Sequence, residues 1–204
     1  MPLADMSPAA TTLVAVVLAG GESRRFGADK LDADLGDGSL LEHALAGLPI
    51  DADLIIVGPP RAVRRPARFV REEPVGTGPT AAMITGLSAA LDLAPDAIVV
   101  LPGDAPAAGS AAMILLAALQ ADPEASIVMA TDAAGREQPL QLALRPAGAA
   151  ALIAAAGEAK GASQSARGLL GRLQPAPRTA TLAAAEHFDV DTVDDLHTWT
   201  ITQR

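Results

Sequence analysis

The 204-residue chain has a net charge of −9, half of its residues are hydrophobic, and it contains no cysteine. The lack of cysteine excludes disulfides, thiolate metal sites and cysteine nucleophiles, and it fits a cytoplasmic protein. The acidic balance argues against a nucleic-acid partner, and no segment reaches the roughly 20 apolar residues of a membrane span.

Strand signals recur along the whole chain after a polar beginning. Residues 1–10 are expected to be disordered, and residues 11–204 are expected to form a single domain. Apolar runs bounded by turn residues predict seven strands. They are expected at residues 13–18, 53–57, 68–70, 97–101, 127–131, 140–144 and 179–182. The fifth and sixth flank a turn at 133–135, so they should pair as a hairpin.

Helix signals fill the intervals between the strands. Ser39 and Glu42 have the spacing of a capping box, and Ser110 is a candidate N-cap. A last helix should begin after Thr192 and carry Trp199. The other helices are expected at residues 40–48, 80–93, 111–120, 147–159 and 166–173. This alternation predicts a three-layer α/β fold, with a mainly parallel twisted sheet covered by helices on both faces.

Ligands of such sheets bind at the carboxyl ends of the strands, where the strand order reverses. Function is therefore expected in the segments that follow strands. These segments are residues 19–30, 58–61, 72–80, 102–106 and 131–138.

The first of these segments, residues 19–30, is called the glycine loop below. Gly20 and Gly21 lack a Cβ, so their backbone N–H groups can turn towards anionic oxygens. Arg24, Arg25 and Lys30 place three cations at the same loop, where they can neutralise a triphosphate. The spacing fits neither the P-loop nor the dinucleotide-binding fingerprint. A phosphate site of another kind is predicted, although a simple turn would also explain the two glycines.

Two acidic segments are candidates for a metal site. Asp104 follows the fourth strand and precedes a rigid Ala105–Pro106 step, which favours a metal ligand over a turn former. Asp189 and Asp191 lie two residues apart in extended chain and so point to the same side. They are placed to meet Asp104 across one cation.

A second cationic run, residues 61–71, is interpreted as a solvated connector, because charge runs usually face water. The alternative is that it attracts phosphate-bearing substrates through its field.

The glycine loop resembles a known signature. The pattern Leu18-Ala19-Gly20-Gly21-x-Ser23-x-Arg25-x-Gly27-x-Asp29-Lys30 is similar to that of the molybdenum cofactor guanylyltransferases, the MobA-like branch of the nucleotidyltransferases, with Phe26 where methionine is usual. The resemblance implies a Rossmann-like nucleotidyltransferase fold. The nucleotide-binding residues that it implies are Leu18, Ala19, Gly20, Gly21, Ser23, Arg24, Glu72, Gly78 and Pro79.

The same resemblance implies roles for individual side chains. Arg25 and Lys30 would hold the β- and γ-phosphates as catalytic residues, and Asp104, with Asp191, would bind Mg²⁺. An acidic residue before a Gly-x-Gly-Pro loop contacts the guanine edge in the family. By offset from Pro79 this residue is Glu72, with Glu73 as a close alternative.

One departure from the family leaves the nucleotide open. The guanylyltransferases usually have Asn-x-Asn-Thr where this chain has Asp189-Val190-Asp191-Thr192, and aspartates there are common in molybdopterin cytidylyltransferases. The implied function is Mg²⁺-dependent transfer of GMP from GTP to molybdopterin, giving a molybdopterin guanine dinucleotide and pyrophosphate. Alternatives are a cytidylyltransferase, another small-metabolite nucleotidyltransferase, or a non-catalytic nucleotide-binding accessory protein. A molybdoenzyme or its chaperone is a possible partner.

Overall fold

A seven-stranded sheet runs through the computed structural model, which describes residues 12–21 and 29–202. Its strands, in chain order, are β1 (Leu13–Leu18), β2 (Asp53–Val57), β3 (Arg68–Val70), β4 (Ala97–Pro102), β5 (Ile127–Thr131), β6 (Glu137–Leu144) and β7 (Arg178–Thr181). Their spatial order is β3-β2-β1-β4-β6-β5-β7. All seven predicted strands are present, with ends that shift by up to three residues.

Helices occupy the intervals between the strands. They are α1 (Leu40–Leu45), α2 (Pro79–Leu91), α3 (Ala108–Ala121), α4 (Pro146–Ala156), α5 (Ala166–Leu170) and α6 (Val193–Thr202). Single 3-10 turns form at Lys30–Asp32, Gly157–Ala159 and Ala184–His187. Within the described ranges, no helix is long and apolar enough to cross a membrane.

The sheet is mainly parallel. Only β6 among the strands of the described chain runs against its neighbours, pairing antiparallel with both β4 and β5. The predicted hairpin of β5 and β6 is therefore confirmed, but the predicted start of β6 at residue 140 is three residues late. A register shift after Met129 lets Ala130 pair with Gln138 and Thr131 pair with Glu137. This irregularity extends the ribbon beyond the apolar residues by which the sequence marks it.

The core has two layers because strand residues alternate between the faces of the sheet. On β1, Leu13, Ala15 and Val17 join one buried cluster, which includes residues of α1 and α3. Val14 and Val16 join the other cluster, with residues of α2, α4 and α5. The predicted three-layer α/β architecture is therefore confirmed.

Several predicted helix ends were wrong. The N-cap of α3 is Ala107, and Ser110 lies inside its first turn. The Ser39 hydroxyl caps α1, but the Glu42 carboxylate accepts a hydrogen bond from Arg64 N–H, so the box is only half formed. Gly157, at φ +60°, ends α4 before residue 159.

Three other helices end earlier than the sequence predicted. The helices α1, α2 and α5 stop two or three residues before their predicted ends, at Leu45, Leu91 and Leu170.

The C-terminal helix α6 begins as predicted. Thr192 Oγ1 accepts a hydrogen bond from Asp195 N–H, and Asp195 Oδ2 accepts one from Thr192 N–H, which completes a reciprocal capping box. Trp199 of α6 stacks on Phe188, with 6.0 Å between ring centroids and an interplanar angle of 23°. This contact fastens α6 to the segment that carries Asp189 and Asp191.

Candidate nucleotide-binding site

The loops that follow β1, β2 and β4 meet at one edge of the sheet. Gly103 N–H donates to Leu18 O at 2.9 Å, and Ala19 N–H donates to Val57 O at 2.9 Å. A Cβ on Gly58 would stand only 2.5 Å from Ala19 O, so this close approach requires glycine. The strand order reverses between β1 and β4, and this edge is where ligands of open α/β sheets bind.

A cleft of about 310 Å³, called the Glu72 cleft below, opens beside the glycine loop. It brings together six of the predicted nucleotide-binding residues, which come from two segments of the chain, at the end of β1 and after β3. The lining residues are Leu18, Gly20, Gly21, Glu72, Gly76, Gly78, Pro79 and Ala82. Ala19 is the exception among the predicted residues described here: it is buried in the core and is not part of the lining.

The two candidate carboxylates for base recognition differ in position. Glu72 is buried, and its Oε1 accepts a hydrogen bond from Gly76 N–H at 2.9 Å. Glu73 is exposed and lines a neighbouring cavity of about 200 Å³, which Glu72, Arg71 and Lys160 also line. Since only Glu72 lines the cleft beside Gly20 and Gly21, the geometry favours Glu72 for contact with a base.

Lys30 lies between two of the predicted metal ligands. Its Nζ is 2.7 Å from Asp104 Oδ2 and 2.9 Å from Asp191 Oδ1. Burial alone would lower the pKa of Lys30, but the hydrogen bonds and charges of Asp104 and Asp191 outweigh burial and raise that pKa above 10.5. Lys30, Asp104 and Asp191 therefore form a charged cluster, the Lys30 cluster. Lys30 ends the glycine loop, Asp104 follows β4, and Asp191 lies just before α6.

Asp189 adds a third carboxylate to this region. Asp189 keeps exposed surface, but its carboxyl group is partly desolvated by neighbouring protein atoms. This desolvation, together with the charges of Asp104 and Asp191, raises the pKa of Asp189 to about 6. The backbone supports the arrangement, because Val190 N–H donates to Asp104 O at 3.0 Å. Asp191 shares the Lys30 ammonium with Asp104, and the charge of Asp104 acts on the Asp189 carboxyl, so both aspartates lie near Asp104.

The donor set suits a magnesium ion held jointly by protein and substrate. Mg²⁺ typically takes one or two carboxylates plus substrate phosphates and keeps several waters. Asp104 and Asp191 already share one cation, the Lys30 ammonium. Within residues 12–21 and 29–202, no cluster of three or more histidine or acidic side chains forms a closed metal site. Magnesium binding by Asp104 and Asp191 therefore stays a prediction.

Three predicted site residues, Ser23, Arg24 and Arg25, lie outside the described residues, as does the N-terminal segment 1–10. Their assigned roles also stay predictions.

The cationic run 61–71 is a solvated connector only in part: Arg64, Arg68 and Arg71 are exposed, as predicted, whereas Arg61 and Arg65 are not. The Arg61 side chain is only 6% exposed and bonds to Ala19 O, Asp29 and Asp32. Arg65 donates to four backbone carbonyls of residues 48–52. The run is extended, and alternate residues point inwards, with Val63, Ala67 and Phe69 packed on the core. Apolar residues recur at even spacing in this run, as they do in a strand with one buried face. The high charge of the run masks this pattern when the sequence alone is considered.

Comparison with known families gives one match that spans most of the chain. Residues 15–193 match the family model described as the MobA-like NTP transferase domain. The chain is 34% identical over 140 residues to the molybdenum cofactor guanylyltransferase of Shewanella loihica, an alignment that covers 65% of this chain and 69% of that protein.

Two solved structures show the same fold. The Mycobacterium tuberculosis rv0371c homolog from Mycobacterium sp. strain JC1 superimposes with a TM-score of 0.68 at 24% identity, covering 93% of this chain and 96% of that one. CMP:2-keto-3-deoxy-manno-octonic acid synthetase complexed with CTP superimposes with a TM-score of 0.67 at 13% identity, covering 95% and 98%.

Proposed function

This chain belongs to the family of MobA-like NTP transferase domains, and from that premise we propose that it transfers GMP from GTP to the terminal phosphate of molybdopterin. The observation that carries the proposal is the Lys30 cluster at the strand edge that also bears the Glu72 cleft. A cation that can bind phosphates and carboxylates that can bind a metal ion thus lie at the same edge of the sheet as a cleft that can hold a nucleoside. The 34% identical relative named as a molybdenum cofactor guanylyltransferase supports the choice of acceptor.

The reaction needs alignment and charge neutralisation more than acid–base chemistry. An oxygen of the acceptor phosphate attacks the α-phosphorus of the nucleotide, and the bond from that phosphorus to the pyrophosphate oxygen breaks. A phosphate monoester is already an anionic nucleophile, so no strong general base is required. Lys30 and Arg25 hold the β- and γ-phosphates and stabilise the charge of the departing pyrophosphate. Asp104 and Asp191 would hold Mg²⁺, which supplies further charge neutralisation at the phosphates.

Nucleoside selection is assigned to Glu72. A carboxylate accepts hydrogen bonds from both guanine N1–H and N2–H, whereas cytosine offers a single amino group on its pairing edge. Glu72 Oε1 accepts from Gly76 N–H, and a carboxylate has the lone pairs to accept further hydrogen bonds from a base.

A second candidate, a CMP transferase for the same acceptor, is favoured by one observation. Aspartates stand at both 189 and 191, where guanylyltransferases usually have asparagines. These extra negative charges lie around Lys30 and Asp104 rather than at the Glu72 cleft. They therefore bear on the phosphates and the acceptor more directly than on the base, and GTP remains the first choice.

Pyrophosphate release tests the proposal. The purified protein is incubated with molybdopterin, Mg²⁺ and GTP, CTP, ATP or UTP in separate reactions. Release that requires molybdopterin and is fastest with GTP is expected. A clear preference for CTP would replace the first candidate with the second, and release with none of the nucleotides would refute both.

A further inference from the structure

The Arg61 guanidinium lies where both ends of the glycine loop meet. It follows β2 by four residues, and its side chain is 6% exposed. NH2 donates to Ala19 O at 3.3 Å, and NH1 lies 3.0 Å from Asp29 Oδ2 and 3.3 Å from Asp32 Oδ1. Its Nε is buried and has no hydrogen-bond partner among the described residues. One planar group thus bonds the residue that begins the loop and a residue next to its end.

Asp29 connects this guanidinium to Lys30. Its Oδ1 accepts a hydrogen bond from Leu31 N–H at 3.1 Å and caps the 3-10 turn Lys30–Asp32, while Oδ2 pairs with Arg61. Asp32, at the end of the same turn, pairs with Arg61 as well. Both acidic residues that flank Lys30 are therefore held by one buried cation, and Lys30 is the first residue of the turn.

We propose that Arg61 is a positioning residue that fixes both ends of the glycine loop and so sets the place of the Lys30 ammonium. Planar guanidinium groups suit this role because they donate in several fixed directions at once. The Arg61 side chain, 6% exposed, would lose these partners if it moved, although water screens the Asp29 and Asp32 carboxylates, which are 42% and 62% exposed.

A direct contact between Arg61 and the nucleotide is the competing explanation. The Arg61 donors that have partners already point to Ala19, Asp29 and Asp32, and the side chain is absent from the lining of the Glu72 cleft. Arg61 therefore acts through Lys30 rather than beside it.

A double-mutant cycle on nucleotide binding tests this role. The role rests on the proposed function only because GTP is the ligand used in the test. GTP and guanosine binding are measured by calorimetry for wild type, Arg61→Met, Lys30→Met and the double variant. Each single change should weaken GTP binding by at least about tenfold, the size of one lost charge-assisted hydrogen bond, and leave guanosine binding unchanged. The double variant should bind GTP with the same affinity as Lys30→Met, within about twofold.

Two further variants separate positioning from loss of stability. Arg65→Met also removes an arginine that bonds to backbone carbonyls, but at residues 48–52, away from the loop. It should lower the melting temperature without changing GTP affinity. If Arg61→Met does not fold, Asp29→Asn replaces it, because asparagine retains the N-cap and loses the charge that pairs with Arg61.

The outcomes are distinguishable. If wild type does not bind GTP, the proposed function fails, whatever the variants do. If wild type and Lys30→Met behave as expected but Arg61→Met binds GTP normally, or if the losses in the double variant multiply, Arg61 does not act through Lys30. Equal losses of GTP and guanosine binding in Arg61→Met would also overturn the assignment, since they would place its effect on the nucleoside seat.

Discussion

Replacing Lys30 with methionine measures what the Lys30 cluster contributes to the stability of the fold. The contact with Asp104 is a charge-assisted hydrogen bond of 2.7 Å between side chains that are 15% and 29% exposed. Such a bond is worth about 1.5 kcal/mol. Asp191 is 60% exposed, so solvent screening limits its contact to about 0.5 kcal/mol. The sum, about 2 kcal/mol, corresponds to a melting temperature lower by about 4–8 °C for a chain of this size.

The measurement is thermal unfolding of wild type and Lys30→Met in metal-free buffer. The chain has only one other lysine, Lys160, which is exposed, so Lys160→Met is a matched control that should unfold at the wild-type temperature. A base whose folded pKa is raised contributes its stability fully below its unfolded value of 10.5 and loses it only as pH rises through the folded pKa. The difference between Lys30→Met and wild type should therefore be the same at pH 7 and pH 9. An unchanged or higher melting temperature for Lys30→Met at neutral pH would refute the reasoning, because the ammonium would then not stabilise the carboxylates beside it.

Further changes address the metal, the base and the last helix. Asp104→Asn should fold normally and lower the rate of pyrophosphate release about a hundredfold or more, and an unaffected rate would leave Asp104 a turn residue. Glu72→Gln should lower the preference for GTP over CTP while Glu73→Gln leaves it intact; the reverse result would assign base recognition to Glu73. Asp195→Ala should lower the melting temperature by about 2–4 °C at pH 7, as expected for a lost cap of about 1 kcal/mol. The hydrogen bond from the Thr192 hydroxyl holds the pKa of Asp195 below 3.8, so its contribution is present above pH 3.8 and is lost as pH falls through the folded pKa. A difference that persists unchanged at pH 2 would contradict this origin.

The sheet and much of the site could be predicted because both depend on local patterns. Runs such as Leu13–Leu18 and Asp53–Val57 are short, apolar and bounded by turn residues, and these properties mark buried strands. The rule that ligands bind at the carboxyl ends of strands then indicated Gly20 and Gly21, Glu72 and Asp104 without any knowledge of pairing. The Glu72 cleft and the Lys30 cluster lie at this edge.

What could not be predicted depends on contacts between distant segments. Arg61 belongs to a charged run, and the acceptors on Ala19, Asp29 and Asp32 make its burial favourable. Glu42 has the spacing of a capping box, but its carboxylate accepts a hydrogen bond from the backbone N–H of Arg64, 22 residues away. The early start of β6 follows from a register shift against β5, which no local pattern encodes.

The stacking of Trp199 on Phe188 gives the protein an optical probe of its own site. The chain contains one tryptophan and no tyrosine, so its near-ultraviolet emission comes from a single indole. That indole rests on the residue immediately before Asp189, in the segment whose backbone bonds to Asp104. A rearrangement of this acidic segment that moves Phe188 changes the surroundings of the indole. Intrinsic fluorescence therefore reports on one defined position, and nucleotide or metal titrations can be followed without attaching a dye.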